Sequence, residues 1–232
     1  GEGGVSPANP EYLLGLRKLC DERRLLLLMD GVQDGHFRTG RFQSFQRILE
    51  SVAPGAGNNS HGSFLPDGIS MAKSLGAGFP IGAFWIRAPY ADLLSAGTHG
   101  STYGGSPLGC AVALKVLEVI EREKLADNAR RVGDFLKIGL QELAKQYPAV
   151  LRSARGLGLM LGMELAPDIP GLPGDPSRTQ AVRFAQLLHA AGVLTIPAGA
   201  QILRLLPPLN LRQLEAQEGL DAIAKVAEKL AA

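Results

Sequence analysis

Four sets of residues carry side chains able to do chemistry. Lys73 follows a strand-like apolar segment and precedes the small-residue run Ser74-Leu75-Gly76-Ala77-Gly78, which lets backbone approach a bound group. A lysine in a tight, weakly polar pocket loses proton affinity and becomes a nucleophilic amine able to form a Schiff base with a carbonyl. A solvated surface charge is the plainer alternative for any single lysine. Asp30 closes the apolar run Leu25-Leu26-Leu27-Leu28-Met29, where a carboxylate could hold a protonated ring nitrogen or simply cap a turn. Ser101 and Thr102 lie among Gly100, Gly104 and Gly105 just before a helix signal. Hydroxyls and unobstructed N–H groups suit a phosphate there, although such a loop also serves as an ordinary cap. Arg204 sits in the apolar stretch Leu203 to Pro208. An isolated buried charge is too costly, so Arg204 must meet either a structural carboxylate or a carboxylate ligand gripped bidentately.

The elements that must position these residues read as α/β. Asn9 and Pro10 start a helix whose apolar face is Leu13, Leu14, Leu16 and Leu19. The run Leu25 to Met29 predicts a parallel strand covered on both faces, with Asp30 at the carboxyl end where α/β sheets bind ligands. Residues 51 to 63 predict a surface loop, Pro80 to Ile86 a strand, Leu108 to Lys124 a buried helix and Leu125 to Tyr147 an amphipathic one. Farther on, Leu157 to Leu165 predicts a strand. Ser177 caps a helix to about Ala191, which Gly192 stops. Short strands at Val193 to Ile196 and Ile202 to Leu206 and a closing helix from Leu214 to Leu230 complete the pattern, with a domain boundary near Val119.

Composition narrows the function classes. The chain has 232 residues, 46% hydrophobic and 20% charged, enough apolar material for a packed core. Its 24 basic and 22 acidic residues are interspersed, which argues against nucleic acid as a partner. No uncharged apolar run approaches the length of a membrane span, about 20 residues. The two cysteines, Cys20 and Cys110, form no disulfide framework and read as buried thiols in a reducing compartment. His36, His61, His99 and His189 lack metal-ligand spacing, so no metal site is expected. No leader is visible, and the glycine-rich opening Gly1-Glu2-Gly3-Gly4-Val5 reads as the middle of a functional loop, so a fragment is expected.

Taken in order, these stretches resemble the class III, fold-type I aminotransferases that use pyridoxal 5′-phosphate, closest to their acetylornithine/ornithine branch. The matching blocks are Gly1 to Val5, Met29 to Gln33, Arg38-Thr39-Gly40, Ala72 to Ala83, Thr98 to Gly105, and Arg204 before Pro207-Pro208. The resemblance implies an α/β fold. Residues 1–118 would form the C-terminal part of the large cofactor-binding domain, with a mainly parallel sheet, and 119–232 a small α+β domain.

It also implies roles. Lys73 would form the Schiff base with pyridoxal phosphate and later shuttle the substrate proton. Asp30 would pair with the pyridinium nitrogen, Val32 would pack on the ring and Gln33 would approach its hydroxyl. Ser101 and Thr102 would reach the phosphate held by a neighbouring subunit of a homodimer with shared active sites. Arg204 would grip the α-carboxylate of glutamate or 2-oxoglutarate, and Glu2 would be its gate. The activity so implied is transfer of an amino group between N-acetylornithine (or ornithine) and 2-oxoglutarate, in arginine biosynthesis in the cytoplasm. Transaminases of 4-aminobutyrate or succinylornithine are alternatives within the family, and a silent dimerisation module is one outside it. An aminomutase or decarboxylase fits less well, because a Glu2–Arg204 gate suits two alternating substrates.

Three departures stand out. Gly31 replaces an acidic residue, which predicts local loosening. Asp34 replaces a small residue, and Ser106 stands where the family commonly has Asn. The family's amino-terminal portion, with its Gly-Thr phosphate loop and ring-stacking aromatic, is not in the chain, so the chain alone is expected to hold an incomplete site.

Overall fold

The computed structural model describes residues 1–52 and 64–231. Residues 53–63, within the loop expected at 51 to 63 and including His61, lie outside the described residues. The chain divides into two compact units, one of residues 8–125 and one joining residues 1–7 to residues 126–232. The change-over thus falls a few residues after Val119, and the glycine-rich opening belongs with the C-terminal unit.

In the unit of residues 8–125, helix α1 (Pro10–Arg23) starts as expected: the Asn9 Oδ1 accepts from the Tyr12 N–H at 2.7 Å. Its buried face is Leu13, Arg17 and Cys20, whereas Leu14 and Leu19 are exposed. The buried face is narrower than the leucines suggest, and it includes the charged Arg17. Strand β1 (Leu28–Asp30) is followed by helix α2 (Ser44–Leu49), strand β2 (Gly68–Met71) and strand β3 (Ala83–Ile86), in sheet order β1-β2-β3. The β1–β2 pairing is parallel and β2–β3 antiparallel. The expectation of a doubly covered strand at Leu25 to Met29 is corrected: Leu27 is buried, but Leu28 of β1 and Leu25 and Leu26 ahead of it are exposed, and β1 is an edge strand among the described residues.

Helix α3 (Pro107–Arg122) also departs from the expected burial. Gly109, Ala113 and Ile120 are covered, while Leu108 and Leu114 face outward, as does the thiol-bearing Cys110. Only Cys20 of the two cysteines is the buried apolar thiol expected.

At the entry to β2 lies a charged node that no local pattern announces. Asp67 is fully buried, and its Oδ2 accepts from Arg17 Nη1 at 2.8 Å and from the Leu27 N–H at 2.8 Å. Its Oδ1 accepts from Arg87 Nη1 at 2.9 Å. Burial alone would push this carboxyl up, but the Leu27 N–H and the two guanidiniums outweigh it and hold the group below its usual range.

The C-terminal unit places helix α4 (Leu125–Gln146), helix α5 (Gln180–Ala190) and helix α6 (Gln213–Ala231) with a four-stranded antiparallel sheet, strands β4 (Leu151–Leu157), β5 (Met160–Leu165), β6 (Ile196–Ala198) and β7 (Ile202–Leu205), in order β4-β5-β7-β6. Its core is built on Val132, Leu140, Leu161, Met163, Phe184, Leu203 and Ile223. The strand expected at Leu157 to Leu165 is β5, starting at Met160, and it pairs through a turn at Gly158-Leu159 with β4, which was not expected. Gly158 adopts φ 54°, and a side chain at Gly133 of α4 would collide with its backbone, so helix and turn touch through two glycines. Thr179, rather than Ser177, caps α5, and Gly192, at φ 88°, follows its end as expected.

Candidate active site

Asp30 and Lys73 lie at the same end of the parallel pair. Asp30 is the last residue of β1 and stands in register with Ser70 of β2. Lys73 comes just after β2, at the head of a short 3₁₀ turn (Lys73–Leu75). The Asp30 Oδ1 accepts from the Val32 N–H at 3.0 Å and from Ser70 Oγ at 3.4 Å, which holds the carboxylate at the strand end. Both Asp30 and Lys73 are exposed, and Val32 and Gln33 are half-buried. A carboxylate and an amine projecting from adjacent strand ends can flank a flat cationic ring that carries an aldehyde.

Lys73 has φ 49°, in the left-handed region that non-glycine residues enter at a cost. Such strain persists only where neighbouring contacts over-determine it, and those contacts come from the loop after β1. His36 is fully buried, and its Nδ1 lies 3.1 Å from Ser74 Oγ, the residue next to Lys73. His36 and Phe37 are themselves at φ 54° and 66°. The His36–Ser74 contact beside Lys73 is one that motif reading passes over; the signal available was a histidine inside a glycine-bounded loop.

The same loop explains the departures at Gly31 and Asp34. Gly31 is buried, its N–H donates to Ser70 O at 3.0 Å, and a Cβ there would meet Gln43 Oε1 at 2.1 Å. The position is packed on the buried Gln43 amide rather than loosened, which corrects the expectation. Asp34 accepts a hydrogen bond from Ser44 Oγ at the start of α2.

Burial lowers the proton affinity of His36, with Asp34 opposing the effect weakly. The folded state therefore binds the proton less well than the unfolded chain, and stability is lost as pH falls below about 6.5. His36→Asn keeps a polar atom near the Nδ1 position and tolerates the left-handed backbone. Thermal unfolding of this variant should lose less between about pH 7 and pH 5 than the parent does; equal losses would contradict the assignment.

Ser101 and Thr102 lie in an exposed turn between Gly97 and α3, where the Gly104 N–H donates to Ser101 O at 3.3 Å. Ser106 precedes α3 without capping it through its side chain.

In the C-terminal unit, Arg204 of β7 is buried at 7% exposure and lies beside Gly162 of β5 and Ile196 of β6. Its Nη1 is 3.2 Å from the Glu2 Oε1, whose side chain is 91% exposed. The contact is an ion pair without hydrogen-bond alignment: Arg204 Nε and Nη1 have no hydrogen-bond partner among the described residues. A buried guanidinium with open donors and an easily withdrawn counter-charge can exchange that charge for a ligand carboxylate. A cleft of about 890 Å³ opens beside Arg204, lined entirely within this unit by residues including Thr195, Pro207 and Glu215.

Among the described residues no cluster of His, Cys, Asp and Glu is placed to hold a metal ion, and no helix is long and apolar enough to cross a membrane.

The family model for aminotransferase class-III matches residues 1–227. An acetylornithine aminotransferase of Gloeobacter violaceus is 38% identical over 230 residues, 99% of this chain and 51% of that protein. A succinylornithine transaminase of Salmonella paratyphi A is likewise 38% identical over 230 residues, with 99% and 51% covered. Among solved structures, an ornithine aminotransferase from Toxoplasma gondii, with partial occupancy of PLP at its active site, superposes with a TM-score of 0.82 at 34% identity, covering 99% of this chain and 49% of that one. An acetylornithine aminotransferase from Elizabethkingia anophelis gives 0.82 at 28% identity, covering 99% and 52%. The chain spans about half the length of the curated relatives it matches.

Proposed function

The chain belongs to the class-III aminotransferases, and from that premise we propose that the protein carrying it transfers an amino group between N-acetylornithine, or ornithine, and 2-oxoglutarate. The observation that carries the reading is the Glu2–Arg204 pair. Glutamate and 2-oxoglutarate bring a carboxylate next to the reacting carbon, whereas the reacting end of an ornithine-type donor has none. One site serves both if Arg204 is exposed to the first and covered by Glu2 for the second.

The family's cofactor, pyridoxal phosphate, supplies an electron sink for the carbanion formed when the donor loses its proton. The residues present suit it: Asp30 offers the fixed anion a protonated ring nitrogen needs, and Lys73 an exposed amine on strained backbone at the adjacent strand end. In this reading Lys73 Nζ takes the proton from the amine-bearing carbon of the donor. Val32 would pack on the ring, and Gln33 would approach its hydroxyl. Ser101 and Thr102, exposed ahead of α3, hold the phosphate of a neighbouring subunit in a cytoplasmic homodimer. The outward Tyr103, Leu108 and Leu114 support a covering partner on that element.

The test is a panel of amino donors offered to the intact protein with 2-oxoglutarate as acceptor. N-acetylornithine or ornithine should turn over, and Arg204→Lys, which keeps the charge but loses the fork, should raise the KM for glutamate about tenfold. Turnover of 4-aminobutyrate with neither ornithine donor would overturn the substrate assignment. No turnover of any donor by the intact protein would favour a silent homologue.

A further inference from the structure

The geometry points to Arg155 as the positioning residue of the Glu2 gate. Glu2 lies on the segment Gly1 to Pro7, which joins the C-terminal unit although more than a hundred residues separate it in sequence from that unit's sheet. Something must hold this strap across the sheet, and one side chain does so directly. Arg155 Nε donates to both Gly4 O and Val5 O, each at 3.1 Å, in a shared hydrogen bond. Its Nη1 donates to Glu164 Oε2 at 3.0 Å, and that carboxylate also accepts from Ser153 Oγ at 2.8 Å. The guanidinium is therefore fixed from behind by β5 while it grips the strap in front.

The strap is shaped to be gripped. The Gly4 and Val5 N–H groups both donate to Gly1 O, at 3.1 and 3.2 Å, which closes a turn with Glu2 at its tip. Gly4 adopts φ 108°, and a Cβ there would strike Ile202 Cδ1 at 2.2 Å. Val5 is a β-branched residue at φ 55° and is buried, a conformation that needs outside support. Opposite, Gly162 leaves the room: a Cβ on it would come within 2.9 Å of Gly4 O and 3.2 Å of Val5 Cβ. Gly162 is the register partner of Arg204. The absent side chain at Gly162 and the donor at Arg155 together seat the strap so that Glu2 reaches Arg204.

The consequence is a division of labour. Arg155 touches neither substrate nor reacting atoms in this scheme. By anchoring the strap it sets how strongly Glu2 competes with a substrate carboxylate for Arg204, and so sets the balance between the two substrate types. The inference rests on the reading of Glu2 as a displaceable partner of Arg204.

Two measurements on the intact protein separate the inference from that reading. In the first, amide hydrogen exchange is followed in Arg155→Met and in the milder Arg155→Lys, which keeps a cation for Glu164. The Gly4 and Val5 amides should exchange about tenfold faster or more in Arg155→Met, with the β5 and β7 amides unchanged. In the second, kcat/KM is measured for glutamate and for N-acetylornithine. Arg155→Met should raise the glutamate-to-N-acetylornithine ratio about tenfold through KM, as Glu2→Gln does, and the double variant should add nothing further. A shift in Glu2→Gln without one in Arg155→Met overturns the positioning role and leaves the gate standing. No shift in Glu2→Gln refutes the gate, and unchanged strap exchange in both Arg155 variants overturns the anchor whatever the kinetics show.

Discussion

Asp67→Asn is expected to lower the free energy of unfolding by about 3–5 kcal/mol, the usual cost of breaking a buried ion pair by removing one partner. The carboxylate is fully buried and is shared by Arg17, whose side chain is nearly as buried, and Arg87, which is about one-third exposed. Asparagine keeps the size and one acceptor but leaves the buried Arg17 with only the exposed Asp21, at 2.7 Å, as a charged partner. The Leu27 N–H, which the same carboxylate caps at the entry to β1, loses its charged acceptor too. Because Leu27 leads into the strand that ends at Asp30, the variant should also loosen the site. Acid should act in the same direction. The folded carboxyl holds its proton less tightly than the unfolded one, so its contribution is complete above about pH 4 and fades as pH drops below that. Urea unfolding at neutral pH measures the loss; a change under about 1 kcal/mol would show that the node is not a buried charge cluster.

Lys73→Arg is expected to reduce amino transfer by the intact protein at least about 10²–10⁴-fold, the range that loss of a positioned proton carrier covers. Arginine preserves charge and approximate length, so binding of anionic groups nearby should survive. It cannot give up its proton near neutral pH, and its delocalised guanidinium is a poor nucleophile. A variant that kept more than a tenth of the activity would remove Lys73 from the reacting centre.

What could be read from sequence and what could not divides along the range of the interactions. The Asn9 cap and the Gly192 stop depend on neighbours within a turn, and both features stand where local chemistry puts them. The partner of Arg204 was legible for a different reason: an arginine among leucines demands a carboxylate, and the resemblance supplied Glu2. Strand β4 was missed because Arg152, Ser153 and Arg155 interrupt its apolar alternation, and all three of those polar groups meet Glu164 on the facing strand. Asp67 looks like a turn residue until Arg17 and Arg87 arrive from 50 and 20 residues away. The grip of Arg155 on Gly4 spans 151 residues. His36 reads as a loop histidine, and only its burial against Ser74 ties it to the backbone of Lys73. The burial forecast for Leu25, Leu26 and Leu28 failed because an apolar run states what a strand can bury, not which neighbours are present to cover it.

In the proposed function this chain carries the amine to which pyridoxal phosphate attaches. The most direct measurement is to incubate the purified chain with pyridoxal phosphate, reduce with borohydride and map the modified peptides by mass. One dominant pyridoxyl adduct is expected, on Lys73, and it should disappear in Lys73→Arg. A dominant adduct on another lysine, or unselective labelling that Lys73→Arg leaves unchanged in both this chain and the intact protein, would contradict it.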